Sequence, residues 1–150
     1  MDALLTYFLP CLYAFIACIP FCILFNIHDG ILLCATGGAL GWFVYLASAP
    51  IAGSDIMQAF LAATAISAYA EIMARIRKCP VTGYLLVAFF PLVPGGGIYY
   101  TMEHAINGET QLFLERFLHT LGLAGSLAVG VLLVSSFVRM INALRRKRRT

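Results

Sequence analysis

The chain has 150 residues, of which 61% are hydrophobic and 11% charged, and its formal net charge is +3. Soluble domains carry about 25% charged residues and about 45–50% apolar ones, so this composition excludes an ordinary soluble domain. The mean hydropathy of +0.89 instead indicates an integral membrane protein. The apolar runs are long and lack the alternation of barrel strands, which predicts an all-α fold.

Five apolar segments are long enough to cross a bilayer as helices, since about 20 residues suffice at about 1.5 Å per residue. Turn-forming residues separate the first four segments, and a polar stretch at 101–116 precedes the fifth. We expect a single transmembrane domain over residues 1–150 that ends in a short basic cytoplasmic tail, about 139–150. The predicted spans are residues 3–27, 31–50, 56–74, 81–100 and 117–138.

Basic residues cluster at two places, which five spans would put on the same side of the membrane. Arg75, Arg77 and Lys78 lie in one loop, and five more basic residues run from Arg145 to Arg149. Because basic loops stay in the cytoplasm, we predict an external N-terminus and a cytoplasmic C-terminus. We interpret the arginine run as a topology signal that also contacts anionic lipid, not as a nucleic-acid site. No basic residue precedes the first span, so we interpret it as a retained span rather than a secretory signal.

The fourth predicted span contains the run Pro91–Gly97, in which two prolines are followed by three glycines. Proline removes a backbone donor and clashes with the preceding turn, and glycine loosens the chain, so the helix breaks here. Such a break is tolerated only where protein or a water-filled cavity meets it. Interrupted spans form substrate sites in many transporters, whereas a simple packing kink is the alternative. The candidate substrate-binding and translocation residues are Pro91, Pro94, Gly95, Gly96 and Gly97.

A polar stripe on the third predicted span is the second candidate site. At about 100° per residue, Thr64, Ser67 and Glu71 lie within about 60° of one another. A carboxylate at the bilayer centre costs about 2.5–3.5 kcal/mol, so we expect Glu71 to face the bundle interior. Thr64 and Ser67 are candidate translocation residues, and Glu71 is a candidate ion-coupling carboxylate. The alternative for Glu71 is an interfacial salt bridge to Arg75, one helical turn further on.

Other reactive residue types form weaker patterns. The five cysteines have no CxxC pair and no histidine at ligand spacing, and we interpret them as small packing residues. A metal site that uses His104 and His119 is disfavoured, because Glu103 and His104 point apart on a helix. We interpret His28 and Asp29 as part of a turn rather than a proton relay. The sequence contains no catalytic or cofactor motif, so we expect neither an enzyme nor a cofactor or metal.

Small residues spaced by four occur in the second and fifth predicted spans. The two patterns are Gly37 with Gly41, and Gly122 with Ser126 and Gly130. Such spacing lets helices approach closely. We expect these faces to serve packing, either within the chain or against a partner.

Taken in order along the chain, these features resemble the threonine/serine exporter family. The first span closes on Phe25-Asn26, and the basic loop ends in Cys79-Pro80. Then follow Pro91-Leu92-Val93-Pro94-Gly95 and Tyr99-Tyr100, which lead into an amphipathic stretch. The resemblance covers nearly the whole chain, and the Pro-x-x-Pro-Gly break is its most specific element. In particular, the chain is similar to short bacterial members that correspond to the C-terminal membrane half of the fused exporters.

The resemblance implies one half of a two-component carrier in the bacterial inner membrane, with a longer membrane partner as the other half. It also implies export of threonine, serine or small dicarboxylates such as succinate, with Pro91, Pro94 and Gly95 at the family motif. The hydrolase-like N-terminal half of the fused exporters has no counterpart in this sequence. Besides this partner, a second copy of the chain is a candidate partner in a homo-oligomer. A non-transporting membrane scaffold is the alternative function, and an ion channel ranks last because no selectivity motif is present.

Overall fold

The computed structural model describes residues 2–27 and 30–147, and helices make up nearly all of them. No strand occurs within these two ranges, which confirms the predicted all-α fold. A 3-10 turn at Phe90–Leu92 follows the fourth helix. The helices are α1 (Asp2–Leu24), α2 (Ile31–Ala52), α3 (Asp55–Arg77), α4 (Val81–Phe89), α5 (Gly95–Ile106) and α6 (Thr110–Lys147).

Turn-forming residues separate the first three helices where the sequence predicts breaks. Gly30 and Gly53 adopt positive φ angles of 100° and 64°, which glycine tolerates because it has no Cβ. Ser54 caps α3, since its hydroxyl accepts a backbone amide hydrogen bond at 3.4 Å. The predicted turn at His28-Asp29 lies outside the described residues, as do residues 148–150 of the predicted basic tail.

Contacts between α3 and α6 show that these two helices run in the same direction. Gly130 of α6 faces Ala63 of α3, and the Arg75 guanidinium donates a hydrogen bond to Asn142 at 3.3 Å. Residue numbers therefore rise together along both helices, and the ends of α3 and α6 meet at one end of the bundle. We call this the basic end, and we call the opposite end, where Asp55 begins α3, the acidic end.

The parallel pair α3 and α6 determines how the segment between them must run. A chain that leaves α3 at the basic end has to reach the acidic end before α6 begins, so α4 and α5 together cross the bundle once. These two helices are bent by 53° at the break between them. By length and composition, α1, α2, α3 and α6 can each cross a membrane, and the bent pair is the fifth candidate. The prediction of about five spans, the fourth of them broken, is confirmed.

Small residues let α2, α3 and α4 pack at very short range. Gly41 faces the side chain of Ile66, and Gly37 lies where an added Cβ would come within 3.0–3.2 Å of Ala88 and Tyr69. The small-residue pattern of α6 likewise faces α3. Both patterns therefore serve packing within the chain, which is one of the two predicted uses.

The structure differs from the sequence prediction after the break. The polar stretch at 101–116, predicted to separate two spans, is helical except for the turn between α5 and α6, and α6 exceeds its predicted range of 117–138 at both ends. With 38 residues, α6 is about 57 Å long, against about 30 Å of bilayer hydrocarbon. His119 lies 3.2 Å from Asp55, so residues 98–118 extend past the start of α3 as a projecting hairpin. Hydropathy locates the apolar part of a helix but not its ends, which explains the difference.

Candidate functional site

The first half of the break is completed by groups of this chain. In an unbroken helix, the amide at Pro91 would bond to the carbonyl of Val87, four residues earlier. The Phe90 amide and the Cys18 thiol bond to that carbonyl instead, the thiol at 3.4 Å. The Phe90 carbonyl, which Pro94 would leave free in the same way, accepts a later backbone amide at 3.4 Å. The backbone groups that the two prolines release are therefore satisfied.

This first half also lies level with the middle of the bundle. Leu92 is 9% exposed and packs with Gly41 and Ile66, which lie near the middle of α2 and α3. Phe90 stacks on Phe21 of α1, with ring centroids 3.5 Å apart. These contacts hold the end of α4 at the middle of the bundle.

The second half of the break is open. The Gly95 amide closes a tight turn at 2.7 Å, and the Ile98 amide bonds to the Pro94 carbonyl at 3.1 Å. Gly96 and Gly97 lie in the first turn of α5, where a helix provides no acceptor for their amides. A Cβ added at Gly95 or Gly96 would meet no atom within 4 Å. The start of α5 therefore presents backbone donors to a face that the described residues do not cover.

α5 packs mainly against α6, and the cavity between them is apolar. An added Cβ at Gly97 would lie 2.6 Å from the Thr120 hydroxyl, so close packing here needs glycine. A cavity of about 360 Å³ lies beside this contact, lined chiefly by apolar side chains. The hydroxyls of Thr101 and Thr120 each donate to a carbonyl of their own helix, at 2.7 and 2.8 Å. Polar ligands at the break would therefore come from the glycine amides on the open face, not from this cavity.

Two members of the predicted polar stripe lie on α3 without contacting the break. Thr64 donates its hydroxyl to the Phe60 carbonyl at 2.8 Å, and its backbone lies close to Gly130 of α6. Ser67 is 1% exposed, and its hydroxyl has no hydrogen-bond partner among the described residues. A buried hydroxyl without a partner is energetically costly, so Ser67 is a candidate for a polar role within the bundle.

Glu71 is half-buried in a groove of about 580 Å³ between α3 and α6. Apart from Arg75, the side chains that line this groove with Glu71 are apolar. Arg75 pairs with Asn142, and no ion pair joins it to Glu71, so the structure lacks the salt bridge that was the alternative for Glu71. An ionisable side chain within a membrane span and without a charged partner is a functional candidate.

The structure does not bring the break and Glu71 into one cavity. Thr120 lines the cavity beside the break and Phe137 lines the groove of Glu71. Along α6 these two residues are separated by a rise of roughly 25 Å. The predicted site residues therefore form two separate groups, and α6 is the helix that contacts both.

Two polar pairs at the acidic end were not predicted from the sequence. His104 Nδ1 lies 2.5 Å from a carboxylate oxygen of Glu109, which closes the turn between α5 and α6. His119 Nε2 lies 3.2 Å from Asp55 and ties α6 to the start of α3. Neither pair has the spacing of three or four residues that brings side chains together on one helix, so helical periodicity does not predict them. Within residues 2–27 and 30–147, no three His, Cys, Asp or Glu side chains come together as a metal site.

A helical bundle with four candidate membrane spans, and a fifth in the bent pair of α4 and α5, defines a multi-pass membrane protein. A family model described as Threonine/Serine exporter, ThrE, matches residues 10–137. The chain belongs to this family, as the sequence resemblance predicts, and its function is exporter-type transport of small molecules across a lipid bilayer. The family is one of transporters, not enzymes. No curated protein and no solved structure matches the chain significantly.

Proposed function

We propose that this chain is one subunit of a secondary exporter for threonine, serine or small dicarboxylates such as succinate, and that it acts with a longer membrane partner in the bacterial inner membrane. The observation that carries this proposal is the open second half of the break. The start of α5 lies level with Thr120, close to the acidic end, and a backbone amide left unsatisfied costs several kcal/mol wherever lipid rather than water meets it. A partner that covers the face at Gly96 removes this cost and encloses a path for the substrate.

The start of α5 is where the substrate binds. Helix N-termini carry a partial positive charge and free amides, and both favour a carboxylate. Interrupted spans of known transporters direct such N-termini at anionic substrate groups. The amides of Gly96 and Gly97 are the donors in this chain, and Pro91, Pro94 and Gly95 hold the turn that presents them.

Glu71 is the ion-coupling carboxylate, and Thr64 and Ser67 belong to the translocation route. Support comes from the unpaired Glu71 carboxylate in its apolar groove and from the buried, unpaired Ser67 hydroxyl. Because the start of α5 lies roughly 25 Å along α6 from the groove of Glu71, coupling runs through movement of α6, which contacts both places.

The basic end faces the cytoplasm, and the N-terminus lies outside. Support comes from Arg75, which meets Asn142 close to the basic run at the end of the chain. A reporter fused after Thr150 should therefore be active only in the cytoplasm, and activity on the outer face would reverse the orientation.

The test compares efflux from cells that express the chain with and without a longer-half partner of the family. We expect efflux of threonine, serine or succinate only when both are present. Gly96→Leu should abolish this efflux while membrane abundance stays unchanged, because the new side chain enters open space and blocks the face that binds substrate and partner.

Gly125→Leu is the matched control. Gly125 is exposed in α6 and, like Gly96, would place an added Cβ within 4 Å of no atom. Efflux by Gly96→Leu at the level of Gly125→Leu would refute the site. Full efflux from cells with this chain alone would refute the need for the longer partner and favour a second copy.

A further inference from the structure

Four cysteines from three parts of the chain converge near the basic end of the bundle. Cys18 and Cys22 lie one helical turn apart on α1, Cys34 lies in the first turn of α2, and Cys79 lies in the loop between α3 and α4. The first three are fully buried in one apolar cluster, and Cys79 packs against that cluster. Helix packing therefore brings together thiols that no sequence spacing relates.

Within this cluster, the thiols of Cys22 and Cys34 face each other across the contact between α1 and α2. The Cys22 thiol lies 3.7 Å from the carbonyl of Ile31, the first residue of α2. Cys34 follows three residues later, and a helical side chain points back toward the turn before it, so its thiol lies beside the same carbonyl. The two thiols are within hydrogen-bonding range of each other. Only a small shift separates this arrangement from an S–S bond of about 2.05 Å.

Cys79 is the member of the cluster that a reagent can reach. It is partly exposed, whereas the other three are buried, and it lines a cavity of about 450 Å³ at the start of α4. The Tyr84 hydroxyl lies beside both Cys79 and Cys34, so these two thiols border the same group. Arg77 and Lys78 directly precede Cys79 and are exposed. Their positive charge raises the local concentration of anionic reagents, of which oxidised glutathione is one.

We propose that Cys22 and Cys34 form a reversible disulfide between α1 and α2, and that a low-molecular-weight disulfide reacts first at Cys79. The Cys79 thiolate attacks oxidised glutathione, which forms a mixed disulfide and releases one reduced glutathione. The Cys34 thiolate then attacks the Cys79 sulfur and releases the second glutathione. Finally, the Cys22 thiolate attacks the Cys34 sulfur and displaces Cys79. In sum, two thiols lose two electrons to the glutathione disulfide, and their two protons pass to the released glutathione thiolates.

This modification makes the basic end responsive to the redox state of the compartment that it faces. On the proposed orientation that compartment is the cytoplasm, where glutathione keeps thiols reduced and disulfides are usually transient and redox-sensing. The bond ties α1 to α2 one turn away from Cys18, whose thiol completes the first half of the break. Oxidation therefore restricts movement of α1 against α2 and leaves the start of α5 unmodified.

The test oxidises the purified full-length chain in lipid nanodiscs, with one copy per disc and one equivalent of oxidised glutathione. The chain carries Cys11→Ser, because Cys11 is the other partly exposed cysteine and could react by itself. A maleimide added after denaturation labels the four cysteines that remain of five in the reduced chain. We expect two labels after oxidation, and non-reducing peptide mapping should find Cys22 joined to Cys34. An excess of reduced glutathione should restore all the labels, since thiol–disulfide exchange is reversible.

Variants in this background separate the roles of the thiols. Cys34→Ala should stop the reaction at the mixed disulfide of Cys79 with glutathione, and Cys22→Ala should leave Cys34 joined to Cys79. Cys79→Ala should slow the crosslink about tenfold or more, because the reacting thiols are then both buried. Cys18→Ala is the matched control, since Cys18 is a buried cysteine of the same cluster whose thiol bonds to a carbonyl, and it should keep the full rate.

Several results would overturn the proposal. Glutathione that stays on Cys79 without a crosslink would refute the Cys22–Cys34 pair, and so would a final crosslink from Cys79 to a buried cysteine. An undiminished rate in Cys79→Ala would refute the role of Cys79, and four labels after oxidation would refute both. The reaction needs neither a partner subunit nor transport, so its failure leaves the proposed export function intact.

Discussion

The two halves of the Pro91–Gly97 break differ in how the chain covers them. In the first half, a thiol from α1, a 3-10 turn and a stacked ring complete the broken backbone. In the second half, the amides at the start of α5 lie on an uncovered face, and within α5 only Thr101 is buried. The same contrast holds for the whole molecule, because α1 to α4 form a packed bundle whereas the α5–α6 hairpin projects from it.

This contrast separates two roles of the same motif. The prolines end α4 where neighbouring groups satisfy the backbone that they release, so their role is to shape the bundle. Gly95 and Gly96 begin α5 where an added Cβ would meet no described atom, so this side of the first turn is open to something outside the chain. A membrane offers no substitute for such a partner. The open half is therefore where the proposed function can be tested without disturbing the fold.

The largest effect is expected from overpacking the closed side. Gly41→Leu would drive a side chain into Ile66 at the centre of the bundle and should cost about 3 kcal/mol or more of folding free energy. We expect loss of the monodisperse peak in size-exclusion chromatography and a much lower melting temperature. Gly125→Leu on the open surface should retain both. Normal stability of Gly41→Leu would mean that the bundle is not closed as described.

A smaller effect on function is expected at Glu71, which lies in a groove of the bundle and has no ion-pair partner among the described side chains. Glu71→Gln keeps the shape of the side chain and removes its charge. If Glu71 couples export to an ion, the variant should flatten the dependence of efflux on pH or on the coupling cation. Glu103→Gln, at an exposed position of the hairpin, should leave that dependence unchanged. If the dependence of efflux on pH or on the cation is unchanged in Glu71→Gln, Glu71 has a structural role and does not couple export to an ion.

The smallest effect is expected at the hydrogen bonds that join α2 and α3. The Tyr69 hydroxyl lies 2.8 Å from the Leu33 carbonyl and 2.6 Å from the Thr36 hydroxyl. Hydrogen bonds between membrane helices contribute about 0.6 kcal/mol on average and up to about 2 kcal/mol, so Tyr69→Phe should cost about 1 kcal/mol. Thermal unfolding of the purified protein measures this loss against Tyr13→Phe, which should cost nothing. A loss as large as that of Gly41→Leu would contradict the assignment of bundle stability to close packing.

The position of the break was predictable from sequence because its cause is local. Proline lacks an amide and glycine lacks a Cβ wherever they stand in the chain, so Pro91–Gly97 had to interrupt a helix. The repair of that break was not predictable. Cys18 reaches the Val87 carbonyl from 69 residues away, and nothing in its own neighbourhood distinguishes it from a packing cysteine.

Glu71 shows the same limit. A spacing of four residues places Arg75 close enough to Glu71 for a salt bridge, but the spacing does not determine whether the salt bridge forms. Asn142 of α6 takes the hydrogen bond from Arg75, and only the parallel docking of α3 and α6 places Asn142 there. The pairs of His104 with Glu109 and His119 with Asp55 also depend on that docking and on the tight α5–α6 turn.

By itself, the sequence determined that this is an all-α membrane protein with about five spans, that the fourth is broken, and that it resembles an exporter family. Composition, hydropathy and the covalent geometry of proline and glycine act within a few residues, so they can be read in chain order. Only the tertiary structure decided which half of the break is covered, and that Glu71 lies in a separate groove without an ion-pair partner among the described side chains. Those outcomes depend on which distant helices become neighbours, and that is settled by packing rather than by any local pattern.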